Sequence, residues 1–180
     1  MTKLGRILSV ISALFMIAIA ILMFYLDAMH GLRLVLLVIQ AGMTLRGLQV
    51  IIYYFSMARH MVGGKNVLFR GMIFLDLGVL AGVIFEHPAA YILIYISLLH
   101  IFNGLVAALR ANESRKIGAS WKLKMAYGIT NILLALIVVI NGIAFGRLRI
   151  TVWIYSIGLI YSSILRIISS LRKTEIVYIQ

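Results

Sequence analysis

Six long apolar runs, separated by short polar segments, constrain the fold of this chain more than any other feature. The runs have 19 to 25 residues and lie at 7–26, 34–58, 67–85, 89–109, 125–146 and 150–171. Because a helix rises about 1.5 Å per residue, about twenty residues cross a hydrocarbon core about 30 Å thick. The first run is longer than the apolar region of a signal peptide, so we interpret it as a retained membrane helix. The sequence therefore predicts six transmembrane helices.

The amino-acid composition agrees with a protein that lies in a lipid bilayer. Apolar residues make up 63% of the 180 residues, charged residues make up 12%, and the mean hydropathy is +1.08. Soluble domains are about half apolar and about a quarter charged, so this composition leaves too little polar surface to face water. The lack of cysteine excludes a secreted disulfide scaffold. Since lipid requires the backbone to satisfy its own hydrogen bonds, we predict an all-α polytopic bundle in a single domain, 1–180.

Lysine and arginine are distributed unevenly between the two ends of the predicted helices. The N-terminus, the two longer connections and the C-terminus carry Lys3, Arg6, Arg59, Lys65, Arg70, Arg110, Arg115, Lys116, Lys122, Lys124, Arg166, Arg172 and Lys173. The short connections on the other side carry Arg33, Arg147 and Arg149. The positive-inside rule therefore predicts that both termini are cytoplasmic. We expect the basic side to attract anionic lipids of the inner leaflet, and we expect no nucleic-acid partner because the basic residues follow helix ends.

Small residues recur at a fixed spacing and indicate an internal repeat. Gly47 and Gly104 are 57 residues apart, and Ser163 follows Gly104 after 59 residues. Gly71 and Gly128, which open the third and fifth apolar runs, are also 57 residues apart. Equal spacing at two anchors predicts three tandem helical hairpins. These hairpins are expected at about 7–58, 67–109 and 125–171.

The middle and last thirds of the chain resemble a known family. The resemblance is carried by Phe69-Arg70-Gly71, the Phe-Glu-His-Pro turn at 85–88, the pair Asn103-Gly104, the linker 110–121 and the helix start 122–134. With these features the chain resembles the HdeD family of bacterial inner-membrane proteins over most of 67–171. It departs from that pattern in the first turn, which lacks proline, and at Ser162-Ser163, where glycine is expected. The resemblance implies a six-helix inner-membrane protein with a role in acid or membrane stress resistance, without catalytic residues.

Four polar residues inside the predicted membrane helices are candidates for a functional cluster. They are Arg46, Asp76, His100 and Asn103. Ionisable residues are costly in a bilayer, and Asp and His can exchange protons, so such a cluster could relay protons or bind a small polar solute. The alternative is a structural network in which Asp76 pairs with Arg46 and polar side chains hold the helices together. Asn131 and Asn141 are interpreted as interhelical hydrogen-bonding residues.

Two histidines in the short outer connections are candidates for sensing external pH. His30 lies near Asp27, and His87 follows Glu86. An unperturbed histidine titrates near pH 6.5, which suits an acid-stress role. Exposed interfacial loops have the same composition, so the pattern fits a plain loop as well. These residues lack the spacing typical of a zinc site, and we predict no metal site.

The motifs of common enzyme classes do not occur in the sequence. It contains no His-Glu-x-x-His, no Gly-x-Ser-x-Gly and no phosphate-binding Gly-x-x-x-x-Gly-Lys, and its connections are too short for a soluble active site. We therefore expect no enzymatic activity and no cofactor. Three hypotheses fit: a non-enzymatic membrane stress protein, a small proton or solute transporter or channel, and a lipid-binding or assembly subunit. A homo-oligomer is compatible with each of them.

Overall fold

The computed structural model describes residues 3–116 and 121–171, with side chains from Arg6 onward, and these residues are almost entirely helical. Within those ranges, six helices are long and apolar enough to cross a membrane. They are α1 (Lys3–Tyr25), α2 (Ala28–Ser56), α3 (Gly64–Ile84), α4 (Ala89–Lys116), α5 (Lys122–Val138) and α6 (Leu148–Leu171). A short 3-10 helix at Ala58–His60 precedes α3, and α5 continues as a π-helix over Val139–Ala144. The predicted six-helix, all-α fold class is confirmed, and the chain is a multi-pass membrane protein.

The helices begin and end close to the limits of the apolar runs, except that α2 begins earlier, at Ala28, and α4 ends later than predicted. α4 continues to Lys116, well beyond the predicted end at Leu109. Charged residues are good helix formers in water, and Arg115 and Lys116 in the last turn interact favourably with the negative end of the helix dipole. The predicted basic residues Arg172 and Lys173, and the middle of the predicted linker at 117–120, lie outside the described residues.

Glycine and proline set the helix boundaries at three turns. Gly63, which precedes α3, has a φ of +79°, and Gly146, which separates the π-helix from α6, has a φ of +64°. Only glycine adopts these left-handed conformations without steric cost. Pro88 precedes α4, where its missing N–H costs no hydrogen bond and its fixed φ suits the start of a helix.

The described chain forms two compact units. The terminal unit contains 3–28, 97–116 and 121–171, and the central unit contains 29–96. In the terminal unit, α1 packs along α6, and α5 packs against α6 as well. The boundary between the units falls inside α4, after Ile96. The single domain over 1–180 and the three hairpin ranges stay predictions.

Close approaches between glycines recur at the spacing of the predicted repeat. In the central unit, a Cβ added to Gly47 on α2 would lie 3.0 Å from the Gly71 oxygen on α3. In the terminal unit, a Cβ added to Gly104 on α4 would lie 2.8 Å from the Gly128 oxygen on α5. Each pair lets two backbones approach closely, as small residues do in membrane helices. The equivalent contacts support a repeat that relates α2 and α3 to α4 and α5.

Buried and exposed side chains follow the pattern expected for helices in lipid. Large apolar side chains are exposed on all six helices, including Phe15, Ile52, Phe69, Leu109, Leu133 and Ile157. Buried hydroxyl groups on α6 donate to carbonyl oxygens one turn earlier: Thr151 Oγ1 lies 2.9 Å from the Arg147 oxygen and Ser156 Oγ lies 2.8 Å from the Val152 oxygen. Apolar surface therefore faces outward, while the buried hydroxyls of Thr151 and Ser156 are satisfied by the backbone of their own helical segment.

Candidate functional site

A hydrogen-bonded chain of three side chains and one carbonyl crosses three helices inside the terminal unit. His100 on α4 lies between Asn131 on α5 and Tyr155 on α6. Its Nδ1 is 2.7 Å from Asn131 Oδ1, and its Nε2 is 2.8 Å from Tyr155 Oη. Asn131 and Tyr155 are only 1% and 2% exposed. The three polar side chains therefore join α4, α5 and α6 in the core of this unit.

The partners of the chain fix the direction of each hydrogen bond. Asn131 Nδ2 donates to the Tyr127 carbonyl oxygen over 2.7 Å, so Asn131 Oδ1 must face His100. That oxygen only accepts, and His100 Nδ1 therefore carries a proton and donates to it. In a neutral ring Nε2 is then the acceptor for the Tyr155 hydroxyl. Every donor and acceptor of the neutral imidazole is satisfied by the protein itself.

The members of the predicted cluster of four residues belong to different units of the chain. Arg46 and Asp76 lie in the central unit, and His100 and Asn103 lie in the terminal unit. Asn103 is exposed on α4, outside the hydrogen-bonded chain around His100. The polar partners of His100 are Asn131, which we expected to bond between helices, and Tyr155, which the sequence did not single out. The cluster of four as one functional site stays a prediction.

Arg46 and Asp76 do not form the ion pair considered from the sequence. Arg46 Nη1 instead donates to Gln49 Oε1, one turn away on α2, over 2.8 Å. Asp76 is exposed on α3, and within 29–96 no ion pair joins it to Arg46. The Arg46 guanidinium is therefore bonded to Gln49 on its own helix and not to Asp76. Asn141 Nδ2 also bonds locally, to the Ile137 oxygen at 3.3 Å, and not to another helix.

The two outer histidines are both exposed. His30 lies in the first turn of α2, and His87 lies in the turn before α4 with its ring centroid 5.5 Å from that of Tyr91. Nearby, the Arg33 guanidinium lies 5.7 Å from the centroid of the Phe85 ring. Among the described residues, no group of three or more His, Cys, Asp or Glu is placed to hold a metal ion. A role for these histidines in sensing pH stays a prediction.

A basic cavity of about 290 Å³ lies at one end of the terminal unit. Its polar lining consists of Ser9, Arg110, Lys124, Tyr127, Arg166, Ser169 and Ser170. Arg166 Nε donates to Ser9 Oγ over 3.3 Å, which connects α6 to α1. Lys124 Nζ donates to Ser114 Oγ over 2.7 Å, which connects α5 to α4. Helices α4, α5 and α6 thus place one cation each around this opening, and α1 contributes Ser9. We call this opening the basic cavity.

A second cavity occupies the equivalent position of the repeat in the central unit. It has a volume of about 530 Å³, and its polar lining consists of Arg46, Gln49, Tyr53, Asn66 and Arg70. Adding 57 to its members Tyr53, Val67 and Arg70 gives Arg110, Lys124 and Tyr127 of the basic cavity. If the predicted 57-residue repeat relates the two cavities, its copies differ in charge: three cations line the basic cavity, and two line the second cavity.

Sequence reasoning assigned Arg110, Lys124 and Arg166 only to the cytoplasmic ends of helices. Their spacing along the chain does not reveal that α1, α4, α5 and α6 bring them around one cavity. The signal in the sequence was the 57-residue spacing, which relates Arg110 to Tyr53 and Lys124 to Val67. Each pair therefore lies at equivalent positions of the predicted repeat.

A scan against protein-family models, a search of curated proteins and a search of solved structures find no match to this chain. The class of protein is therefore defined by its fold, a six-helix membrane protein.

Proposed function

We propose that this chain is a non-enzymatic, HdeD-like protein of the bacterial inner membrane that maintains the membrane under stress, including acid stress. The observation that carries the proposal is the closed hydrogen-bonded chain through His100. Both ring nitrogens bond to buried groups of the protein, so the best-placed histidine for a proton relay acts instead as a structural link between α4, α5 and α6. The resemblance of 67–171 to the HdeD family adds the connection to stress.

The proposed orientation places both termini and the basic cavity on the cytoplasmic side of the membrane. The helix ends that carry Arg110, Lys124 and Arg166 all belong to the side with thirteen Lys and Arg residues. The opposite ends carry only Arg33, Arg147 and Arg149. Positive charge is retained on the cytoplasmic side, where anionic lipids attract it. Anionic lipids of the inner leaflet are therefore the proposed partners, and a homo-oligomer fits the proposal as well.

A strain that lacks the protein tests the proposed stress role. We expect such a strain to survive a low-pH challenge less well than its parent and to admit more of a membrane-impermeant dye. Both defects should be reversed by the wild-type protein, and growth in neutral medium should be unaffected. Equal survival and equal dye entry in the two strains would refute a role in membrane stress.

A transport function is the second candidate, and the exposure of Asp76 favours it. Asp76 lies near the middle of α3, where a carboxylate is costly in lipid and is usually retained for function. Proteoliposomes that contain the wild-type protein or the Asp76→Asn variant distinguish the two functions. A proton flux that the variant loses would support transport, whereas no flux from the wild-type protein would remove this candidate.

A further inference from the structure

The basic cavity lies near one set of ends of the membrane helices, where lipid headgroups are expected. It opens where α1 begins, α4 ends, α5 begins and α6 ends, which is one side of the membrane for alternating helices. Arg110 precedes the end of α4 by about 9 Å, and Arg166 precedes the end of α6 by about 8 Å, at about 1.5 Å per residue. Lys124 is in the first turn of α5. Three cations on three helices are thus held at the boundary between lipid and water.

The charges of these three cations are not balanced by any carboxylate of the described residues. Among the described residues, no carboxylate lies within the 4.0 Å ion-pair distance of Arg110, Lys124 or Arg166. Arg166 and Lys124 donate instead to neutral hydroxyl groups, those of Ser9 and Ser114. Like charges around one recess repel each other, so a bound anion would stabilise the arrangement. Arginine forms paired hydrogen bonds with phosphate, which makes a phosphate group the best-suited anion.

The surroundings of the cavity favour a lipid as the source of that phosphate. Exposed apolar side chains lie on the membrane side of the two arginines, at Val106 and Leu109 on α4 and at Ile157 and Ile164 on α6. They offer a surface for acyl chains, which a soluble phosphate would not use. The volume of about 290 Å³ is near the lower limit of small-molecule sites, about 300 Å³, so it suits a headgroup and not a whole lipid.

We infer that the basic cavity binds the headgroup phosphate of an anionic glycerophospholipid, whose acyl chains lie against the exposed faces of α4 and α6. Arg110 and Arg166 hold the phosphate from two helices, and Lys124 adds the third positive charge. The lipid would connect the cytoplasmic ends of α4, α5 and α6. This inference rests on the proposed function, because it takes the basic end to face the anionic leaflet.

Quenching of tryptophan fluorescence by brominated lipids tests the site in the full-length protein. The chain has two tryptophans, and the Trp153→Phe change leaves Trp121, which lies three residues before Lys124, as the reporter. The protein is reconstituted in phosphatidylcholine bilayers with increasing fractions of phosphatidylglycerol, and either lipid carries the bromine atoms. We expect half-maximal quenching at an about tenfold lower fraction of brominated phosphatidylglycerol than of brominated phosphatidylcholine, from charge-assisted hydrogen bonds.

Two matched double variants separate the cavity from general surface charge. Arg110→Gln with Arg166→Gln should remove the preference for phosphatidylglycerol. Lys116→Gln with Lys122→Gln removes the same charge from the end of α4 and the start of α5, outside the cavity lining, and should retain the preference. Equal loss in both double variants, or retention in both, would overturn the inference. If the first double variant does not fold, each single variant is expected to weaken the preference, and no effect in either would refute the site.

Inorganic phosphate distinguishes the lipid from a soluble ligand. Phosphate added to the wild-type protein should not reverse the quenching at constant ionic strength, because it lacks the acyl chains. Reversal by phosphate but not by an equivalent concentration of chloride would assign the cavity to a soluble phosphate and overturn the lipid. Symmetric bilayers offer lipid to both ends of the protein, so the assay does not depend on the proposed orientation. It also measures lipid binding and not a stress phenotype. Its failure is therefore distinguishable from failure of the survival test.

Discussion

His100 Nε2 accepts a hydrogen bond from Tyr155 Oη over 2.8 Å, with the two ring planes at 79° and their centroids 5.4 Å apart. The contact joins α4 to α6, and the opposite nitrogen of the same ring joins α4 to α5 through Asn131. One imidazole therefore holds three helices of the terminal unit in register. Because its partners are almost fully buried, no water can replace a lost hydrogen bond without entering the core.

The Tyr155→Phe variant tests the value of this hydrogen bond. It removes the hydroxyl and leaves His100 Nε2 without a donor while the aromatic ring remains in place. We expect the free energy of unfolding in mild detergent or bicelles to fall by about 1–2 kcal/mol. Tyr161→Phe, at an exposed position of the same helix, is the control and should unfold like the wild-type protein. Equal stability of both variants would show that the hydroxyl contributes nothing.

A double-mutant cycle tests whether Tyr155 and Asn131 act through the same ring. Asn131→Ala removes the acceptor of His100 Nδ1–H, after which the ring is free to take the other tautomer and lose its fit to Tyr155. The losses in unfolding free energy should then be non-additive by about 0.5–1 kcal/mol. Asn141→Ala should be additive with Tyr155→Phe, because the Asn141 side chain bonds to a carbonyl of its own helical segment. Additivity of both cycles would contradict a shared network.

Apolar length predicted the helices, because a run of about twenty apolar residues has few alternatives in lipid. The site was less accessible from the sequence. His100 and Asn131 were marked by their polarity, but Tyr155 was hidden among other aromatic residues of an apolar helix. Whether Tyr155 faces His100 depends on the rotation of α6 about its axis, and the composition of the helix does not determine that rotation. For Arg46 and Asp76, the residue types suggested an ion pair that the structure does not contain. The Arg46 guanidinium donates to Gln49 on the same helix instead.

The Gly104→Ala variant tests the close approach of α4 and α5. The added Cβ would lie 2.8 Å from the Gly128 oxygen and 3.2 Å from the Ile132 nitrogen, so two backbones would have to separate. We expect a loss of about 1–3 kcal/mol in unfolding free energy, as for other overpacked positions. Gly42→Ala on α2 is the control, since nothing lies within 4 Å of its added Cβ, and it should gain up to about 1 kcal/mol from helix propensity.

The equivalent Gly47→Ala variant extends this test to the repeat. Its added Cβ would lie 2.8 Å from the Leu75 nitrogen, so we expect a loss similar to that of Gly104→Ala. A clear loss at Gly104 with none at Gly47 would show that the two approaches are not energetically equivalent. Thermal unfolding of the three glycine variants under one detergent condition measures these differences.

The proposed orientation predicts which introduced cysteines can be labelled from outside the cell. The chain has no native cysteine, so single cysteines at His87 and at Asn112 act as unambiguous reporters. His87 lies in the exposed turn before α4, and Asn112 is exposed near the opposite end of that helix. A membrane-impermeant maleimide that crosses only the outer membrane should label His87→Cys in intact cells. It should label Asn112→Cys only after the inner membrane is opened. The reverse pattern would place the thirteen basic residues in the periplasm, against the distribution of positive charge on which the orientation depends.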